Sequence, residues 1–410
     1  MIYVRLSFRK HNPWIQTVNQ KKILINVTLF LFTFTNLPIH SEPTAKENCA
    51  KPITFSDWEI SNSTESGFDD TKFCQLVKEI SSDQSEFHSF LMERHGKLVT
   101  EIYNTREDHP FNKRYGLRFP FDGETKFDTN TLHDVRSVSK SVVSLLFGIA
   151  IDKKIIDGVD TSVLSFYPEL PVAVDDSKQK ITWKHLLTMS SGLAWEEWRY
   201  GFLFSDETRL LWKKDIPGFV FDRKILNPPG TKFNYNGGGT SVLSDILILK
   251  TNKSLKELAK EWLFDPLEIQ NFEWVEDQNG RALPHAGLRL RPRDMLKLGR
   301  LVLNHGYWKG KQIVPKQWLN DSLKFQIDSE VKIFRKDGKS LGYGYQWWLG
   351  ETIYLEKKIP WSLALGNGGQ LIFSIPSLDM VIVTTAGGYG DPTSIQRILD
   401  VVEKIITTAK

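Results

Sequence analysis

Residues 136–148 read RSVSKSVVSLLFG. Val138, Val142, Leu145, Leu146, Ile149 and Ile151 recur mostly at three-to-four-residue intervals, the rhythm of an amphipathic helix. Ser137–Lys153 is therefore expected to be a helix with Ser137 at its N-terminus. Ser137 and Lys140 then share one face and lie within reach of each other. A serine hydroxyl is a weak nucleophile at neutral pH and needs an adjacent base. A lysine can serve if burial or neighbouring cations hold it neutral. Free N–H groups and the dipole at the helix start would favour an oxyanion there. A plainer reading stands beside this one, with Ser137 as an N-cap and Lys140 as an exposed helix residue. Ser-x-x-Lys also occurs at Ser7–Lys10, Ser177–Lys180 and Ser329–Lys332, but only Ser137–Lys140 opens a long apolar helix.

Upstream, His88–Glu93 and Leu98–Tyr103 flank a Gly-containing turn, a hairpin signal, and Asp70–Ile80 reads as a helix. Downstream, helices are expected at Trp183–Met189, Pro292–Leu303 and Pro315–Leu323, the last two opened by proline. The period then changes. Tyr343–Leu349, Trp361–Leu365, Gln370–Ile375 and Asp379–Thr385 read as strands, and Asp391–Ala409 as a closing helix. Strands, helices, strands and helix imply an α/β (α+β) fold: one antiparallel sheet flanked by helices, built from about 55–135 and 335–410. An all-helical region, about 150–330, is inserted between them. The groove between the two parts is the natural place for a site.

Residues 1–41 carry five of the 53 basic residues and no acidic one. Without them 48 basic residues face 49 acidic ones, so the body, 42–410, is near neutral and makes no global electrostatic case for nucleic acid. Lys21 and Lys22, an apolar run Ile23–Ile39 and then polar sequence follow the order of a signal peptide. An uncleaved membrane anchor is the alternative, although Asn26, Asn36 and Pro38 interrupt the run. Export to a periplasm or cell envelope is expected, with no stable membrane span once the signal is removed. Cys49 and Cys74 are the two cysteines, and either a disulfide or two thiols is open. HExxH, dinucleotide and P-loop signatures are absent, and no metal or organic cofactor is implied.

Several segments resemble the superfamily of class C β-lactamases, penicillin-binding proteins and related esterases. RSVSKSVVSLLFG is similar to its active-site helix, and ITWKHLLTMSSGL (181–193) to its next helix and turn. PGTKFNYNGGGTSVLSDIL (229–247) is similar to its tyrosine-motif segment, and Ala286–Trp308 and GKQIVPKQW (310–318) to its later helices. GNGGQLIFSIPSLDMVIVTTAG (366–387) resembles its active-site strand and the strand after it. These segments fall in the superfamily's order between about Trp58 and Val402, and the GxGGQ strand points to the 6-aminohexanoate-oligomer hydrolase-like branch.

The resemblance implies a β-lactamase/transpeptidase-like fold and an acyl-enzyme on Ser137, with Lys140 as base or proton relay. Tyr235 would shuttle protons. The superfamily's Tyr-x-Asn asparagine falls on Gly237, leaving Asn236 as a neighbouring amide for substrate. Its Lys-Thr-Gly matches Asn367-Gly368-Gly369 as a substrate-binding strand, and the Gln370 N–H would join that of Ser137 in an oxyanion hole. The bland readings are a core tyrosine and a tight turn. Asn367 supplies no charge for a β-lactam or peptide carboxylate, so a small neutral ester or linear amide is the expected substrate. A D-alanyl-D-alanine carboxypeptidase or β-lactamase is the enzymatic alternative, and a non-catalytic envelope binding protein the other. Trp195, Trp198, Tyr200, Phe202 and Phe204, with Tyr343, Tyr345, Trp347 and Trp348, would be core or an acyl pocket. Arg136 would pair with a carboxylate or be solvated. His185 is expected to be structural, and His285 has no role.

Overall fold

The computed structural model describes residues 57–82, 85–111, 123–171, 176–197, 205–332 and 340–410. The proposed signal, Cys49 and the aromatic residues Trp198, Tyr200, Phe202 and Phe204 lie outside them. Nine strands form the main sheet: β1 (Glu59–Ile60), β2 (Phe87–Arg94), β3 (Lys97–Tyr103), β4 (Ile327–Asp328), β5 (Gly342–Tyr343), β6 (Trp348–Tyr354), β7 (Lys357–Gly366), β8 (Gln370–Ile375) and β9 (Met380–Ala386). Their spatial order is β1-β3-β2-β9-β8-β7-β6-β5-β4, antiparallel except where β1 joins β3. The two ends of the chain meet where β9 pairs with β2, from Met380↔Arg94 to Ala386↔Phe87. The expected strand Tyr343–Leu349 is split in two, because Gln346 takes a left-handed turn (φ +66°) that breaks the ladder.

Alternation along the strands sends successive side chains to opposite faces. Leu91, Ile372, Val381 and Val383 face one core, with α2 (Val138–Asp152), α5 (Gly237–Thr251) and α6 (Pro292–Leu303). Phe90, Met92, Phe373 and Ile382 face the other, with α1 (Asp70–Ser81) and α7 (Pro392–Ile406). Helix α6 is tied to the sheet by two buried ion pairs. The Arg300 Nε donates to Glu93 Oε1 at 2.9 Å, and Arg293 donates to both Glu101 oxygens at 2.7 Å. Cys74, on α1, is disulfide-bonded.

The inserted region holds α3 (Trp183–Leu187), α4 (Asp206–Arg209), α5 and α6, but it is not all helical. Phe272–Trp274 and Leu288–Leu290 form a small antiparallel sheet with His133–Asp134. Short segments lacking clear alternation gave no period by which to foresee it. This sheet sets the start of α2. The Val135 N–H donates to Leu288 O (3.0 Å), and the Leu288 N–H donates to the Ser139 hydroxyl (3.1 Å). No helix among the described residues is long and apolar enough to cross a membrane.

Candidate active site

Ser137 is the N-cap position of α2, but its side chain makes no capping hydrogen bond, which removes the plainer reading of this serine. Its N–H donates to no backbone group among the described residues. Arg136, just before it, is left-handed (φ +50°), a conformation that costs a non-glycine residue free energy and needs support. The support comes from its own side chain. The guanidinium lies between the rings of Phe111 (3.6 Å) and Tyr389 (4.5 Å), donates to His109 O (2.9 Å) and sits 3.6 Å from Asp134. Arg136 is thus buried and paired rather than solvated, and it fixes the turn that presents the serine.

Lys140 is 1% exposed, so it is not a surface residue of the helix. Its Nζ donates to Ser137 Oγ (3.2 Å) and to the carbonyl of His285 (2.9 Å). It also lies 3.4 Å from Glu197, 3.5 Å from Glu207 and 4.8 Å from the centre of the Tyr235 ring. The Tyr235 hydroxyl is hydrogen-bonded to both Ser137 and Lys140, and its ring stacks on Trp348 (5.8 Å). Tyr235 is therefore in the site, with the buried Tyr343 and Trp348 as the wall behind it.

The neighbours of Lys140 are anions, not the cations that would neutralise it. Burial pulls an ammonium down, but Tyr235, Glu197 and Glu207 outweigh it and hold Lys140 above its ordinary value. That direction favours an ammonium at rest over the neutral base expected. Burial, against the opposing pull of Lys140, raises the Tyr235 phenol. His285 contributes its carbonyl, while burial and the Lys140 charge push its ring down to about 3, so the ring is neutral. Its Nδ1 meets Ser241 Oγ at 3.1 Å. His185 closes a capping box with Thr182 on α3, the structural role expected of it.

Glu197 and Glu207 were not legible beforehand. They reach Lys140 from the segment after α3 and from α4, and nothing in their local spacing marks them. Acidic residues beside Trp195 were the one available signal. Glu197 is buried, and Oε2 accepts from the Trp195 indole (2.6 Å) and the Gly237 N–H (3.0 Å). Burial and the charge of Glu207 push its carboxyl up to about 7, against the pull of Lys140. Trp195 also lines a cavity of about 500 Å³ shared with Leu193, Arg209, Arg223 and Phe233.

The glycine strand is placed differently from its expected alignment. Gly366, at the end of β7, is the residue pressed against the serine turn. A Cβ there would lie 2.3 Å from Val135 O and 3.1 Å from Arg136 Cβ. Gly368 (φ +91°) and Gly369 (φ +96°) instead make the β7–β8 turn, backed by Tyr389 and Ile398, so the turn reading holds for them. Gln370 is fully buried as the ladder partner of Gly366, and its amide side chain is bonded to Ala386. Its backbone thus belongs to the sheet, which argues against it as the oxyanion donor. Asn367 is exposed, and its side-chain oxygen accepts from the Gly390 N–H (2.8 Å). Asn236 is buried. Its oxygen caps α5 through the Gly239 N–H (2.9 Å), leaving Nδ2 without a hydrogen-bond partner among the described residues. Neither side chain is held out for substrate in the way expected.

Residues 91–398 match the model of the Beta-lactamase family. Over 272 residues the chain is 25% identical to the 6-aminohexanoate-dimer hydrolase of Paenarthrobacter ureafaciens, taking in 63% of this chain and 66% of that protein, just under two thirds of its length. Among solved structures it is similar to a candidate 6-aminohexanoate-dimer hydrolase from Bacillus anthracis, with TM-score 0.62, 20% identity, and 87% and 89% of the two chains covered. It is also similar to a penicillin-binding protein homologue from Caulobacter crescentus, with TM-score 0.61, 13% identity, and 81% and 97% covered.

Proposed function

The chain belongs to the Beta-lactamase family, and from that premise we propose that it is an exported serine hydrolase of a small neutral ester or linear amide, acting through an acyl-enzyme on Ser137. The observation that carries the reading is the placement of Lys140 Nζ 3.2 Å from Ser137 Oγ at a helix N-terminus, with the Tyr235 hydroxyl bonded to the same serine.

In this reading Ser137 Oγ attacks the carbonyl carbon and gives its proton to the Lys140–Tyr235 relay. Tyr235 returns a proton to the leaving group, and water then releases the acyl group by the reverse route. The oxyanion is met by the N–H of Ser137 and by that of Asn367, the first backbone donor beyond Gly366 and the β7 ladder. The last four residues of β7, Leu363 to Gly366, carry no charge, so nothing there would hold the carboxylate of a β-lactam or a peptide C-terminus. That favours neutral substrates over carboxypeptidase or β-lactamase activity. The name of the Paenarthrobacter relative points toward linear amides among them. Export is supported by the charge order of residues 1–41 and by the disulfide bonding of Cys74, which fits an oxidising compartment.

A fluorophosphonate probe on the chain and on Ser137→Ala tests the nucleophile, and a panel of p-nitrophenyl esters, anilides and one cephalosporin tests the substrate class. Labelling of the Ser137 peptide, and ester or anilide turnover well above cephalosporin turnover, both lost in Ser137→Ala, are expected. Labelling that survives the substitution refutes the assignment of Ser137, and efficient cephalosporin hydrolysis refutes the substrate class.

A further inference from the structure

Gly237 stands where the family's tyrosine motif carries an asparagine, and the missing side chain leaves no hole. A Cβ built on Gly237 would lie 3.1 and 3.3 Å from the two carboxylate oxygens of Glu197. The volume of the asparagine is thus occupied by a carboxylate supplied from a distant part of the chain. That carboxylate is aimed. Oε2 is anchored by the Trp195 indole and by the Gly237 N–H in the first turn of α5, where the helix dipole favours an anion. Oε1 is buried, has no hydrogen-bond partner among the described residues and lies 3.4 Å from Lys140 Nζ. A buried carboxylate oxygen left without a donor is costly unless the site uses it. Glu207 lies 3.5 Å from the same nitrogen, but its side chain is 24% exposed and accepts no hydrogen bond among the described residues. An amide in this place can orient a lysine, whereas a carboxylate can also take a proton from it.

Resting on the serine-hydrolase reading, we infer that Glu197 is the terminal proton acceptor of this site, acting through Lys140 as a positioning and proton-holding residue. As Ser137 Oγ bonds to the carbonyl carbon, the carbonyl pair moves onto oxygen and the serine proton passes to Lys140 Nζ. Lys140 in the same step gives a proton to Glu197 Oε1 and remains an ammonium. When the tetrahedral intermediate collapses, the bond to the leaving group breaks and Tyr235 protonates that group. Lys140 reprotonates Tyr235, and Glu197 returns its proton to Lys140. Deacylation by water runs the same transfers in reverse order. A resting lysine ammonium is then no obstacle to attack, because the carboxylate behind it supplies the basicity.

The charged and titratable groups facing Glu197 are Lys140 from α2, Glu207 from α4, Tyr235 ahead of α5, His285, and Tyr343 from β5. The phenols are raised by burial and the His285 ring is neutral, so Glu197, at about 7, is the group among them whose shift puts its titration near neutrality.

The experiment is kcat/KM against pH for a p-nitrophenyl ester that the chain turns over, measured on the wild type, Glu197→Gln and Glu197→Asp, with fluorophosphonate labelling and thermal melting alongside. The wild type should gain activity as pH rises through about 7. Glu197→Gln, which keeps the acceptor oxygen's volume, should melt like the wild type, lose about a hundredfold or more and lose the rise. Glu197→Asp should keep the rise at a reduced rate. An undiminished rise in Glu197→Gln overturns the inference. If Glu197→Gln does not fold, Glu197→Asp decides: a retained rise supports the role and its absence overturns it. A wild type that is labelled at Ser137 while Glu197→Gln behaves normally refutes Glu197 alone. A wild type that is neither labelled nor active removes the hydrolase reading, and this inference with it.

Discussion

Replacing Lys140 by Met keeps a stem of similar length in the core and removes the cation between two carboxylates. The consequence for stability follows from Glu197. Its carboxyl is raised from the ordinary 4.5 to about 7, so between those values the folded protein binds more protons than the unfolded chain. Stability therefore falls as pH rises through that window, by about 1.4 kcal/mol per pH unit and about 3 kcal/mol in all, then levels off above about 7. In Lys140→Met the opposing cation at 3.4 Å is gone while Glu207 stays, so the carboxyl moves further up and the window widens. From about pH 7 to about pH 8.5 the wild type should be nearly flat in this respect, while the variant should go on losing stability. Urea midpoints of both proteins at about pH 6, 7 and 8.5 measure it. The variant should also be inactive, because Ser137 loses its relay. Parallel stability profiles above about pH 7 would refute the account of Lys140 as an ammonium balanced against Glu197.

Tyr235→Phe keeps the stack on Trp348 and removes the hydroxyl bonded to Ser137 and Lys140, so ester turnover should fall about 10²–10⁴-fold while the melting midpoint moves little; turnover near the wild-type rate would exclude Tyr235 from proton transfer. Gly299→Ala places a Cβ 2.4 Å from Val381 Cγ1 and 2.9 Å from Ile372 Cγ2, where α6 meets the sheet. The overpacking cost of about 1–3 kcal/mol should exceed the ~1 kcal/mol gain in helix propensity, and a urea midpoint above that of the wild type would contradict this close approach.

The elements that the sequence made legible are those whose pattern is local. The α2 rhythm, the β2–β3 hairpin turn and the proline opening α6 each reflect a few neighbouring residues. Boundaries moved where a left-handed residue intervened, as Met189 (φ +56°) does after α3 and Gln346 does between β5 and β6. The glycine-strand alignment failed for a related reason. Three glycines within four residues look alike on paper, and only the approach of the serine turn shows that Gly366 is the contact while Gly368 and Gly369 make the turn.

By itself, then, the sequence determined the Ser137–Lys140 pair, because a spacing of three on one helix puts two side chains together whatever the rest of the chain does. It marked the longer strands of the sheet by composition and turn signals, though not the two-residue β1 and β4, and brought Tyr235 into consideration through its resemblance to the superfamily. Only the tertiary structure decided the charge of that lysine. Lys140 is buried among a carboxylate after α3, another on α4, a phenol ahead of α5 and a carbonyl at His285, groups brought together by long-range packing. Protonation depends on the distances and burial of such neighbours, quantities that no local spacing carries.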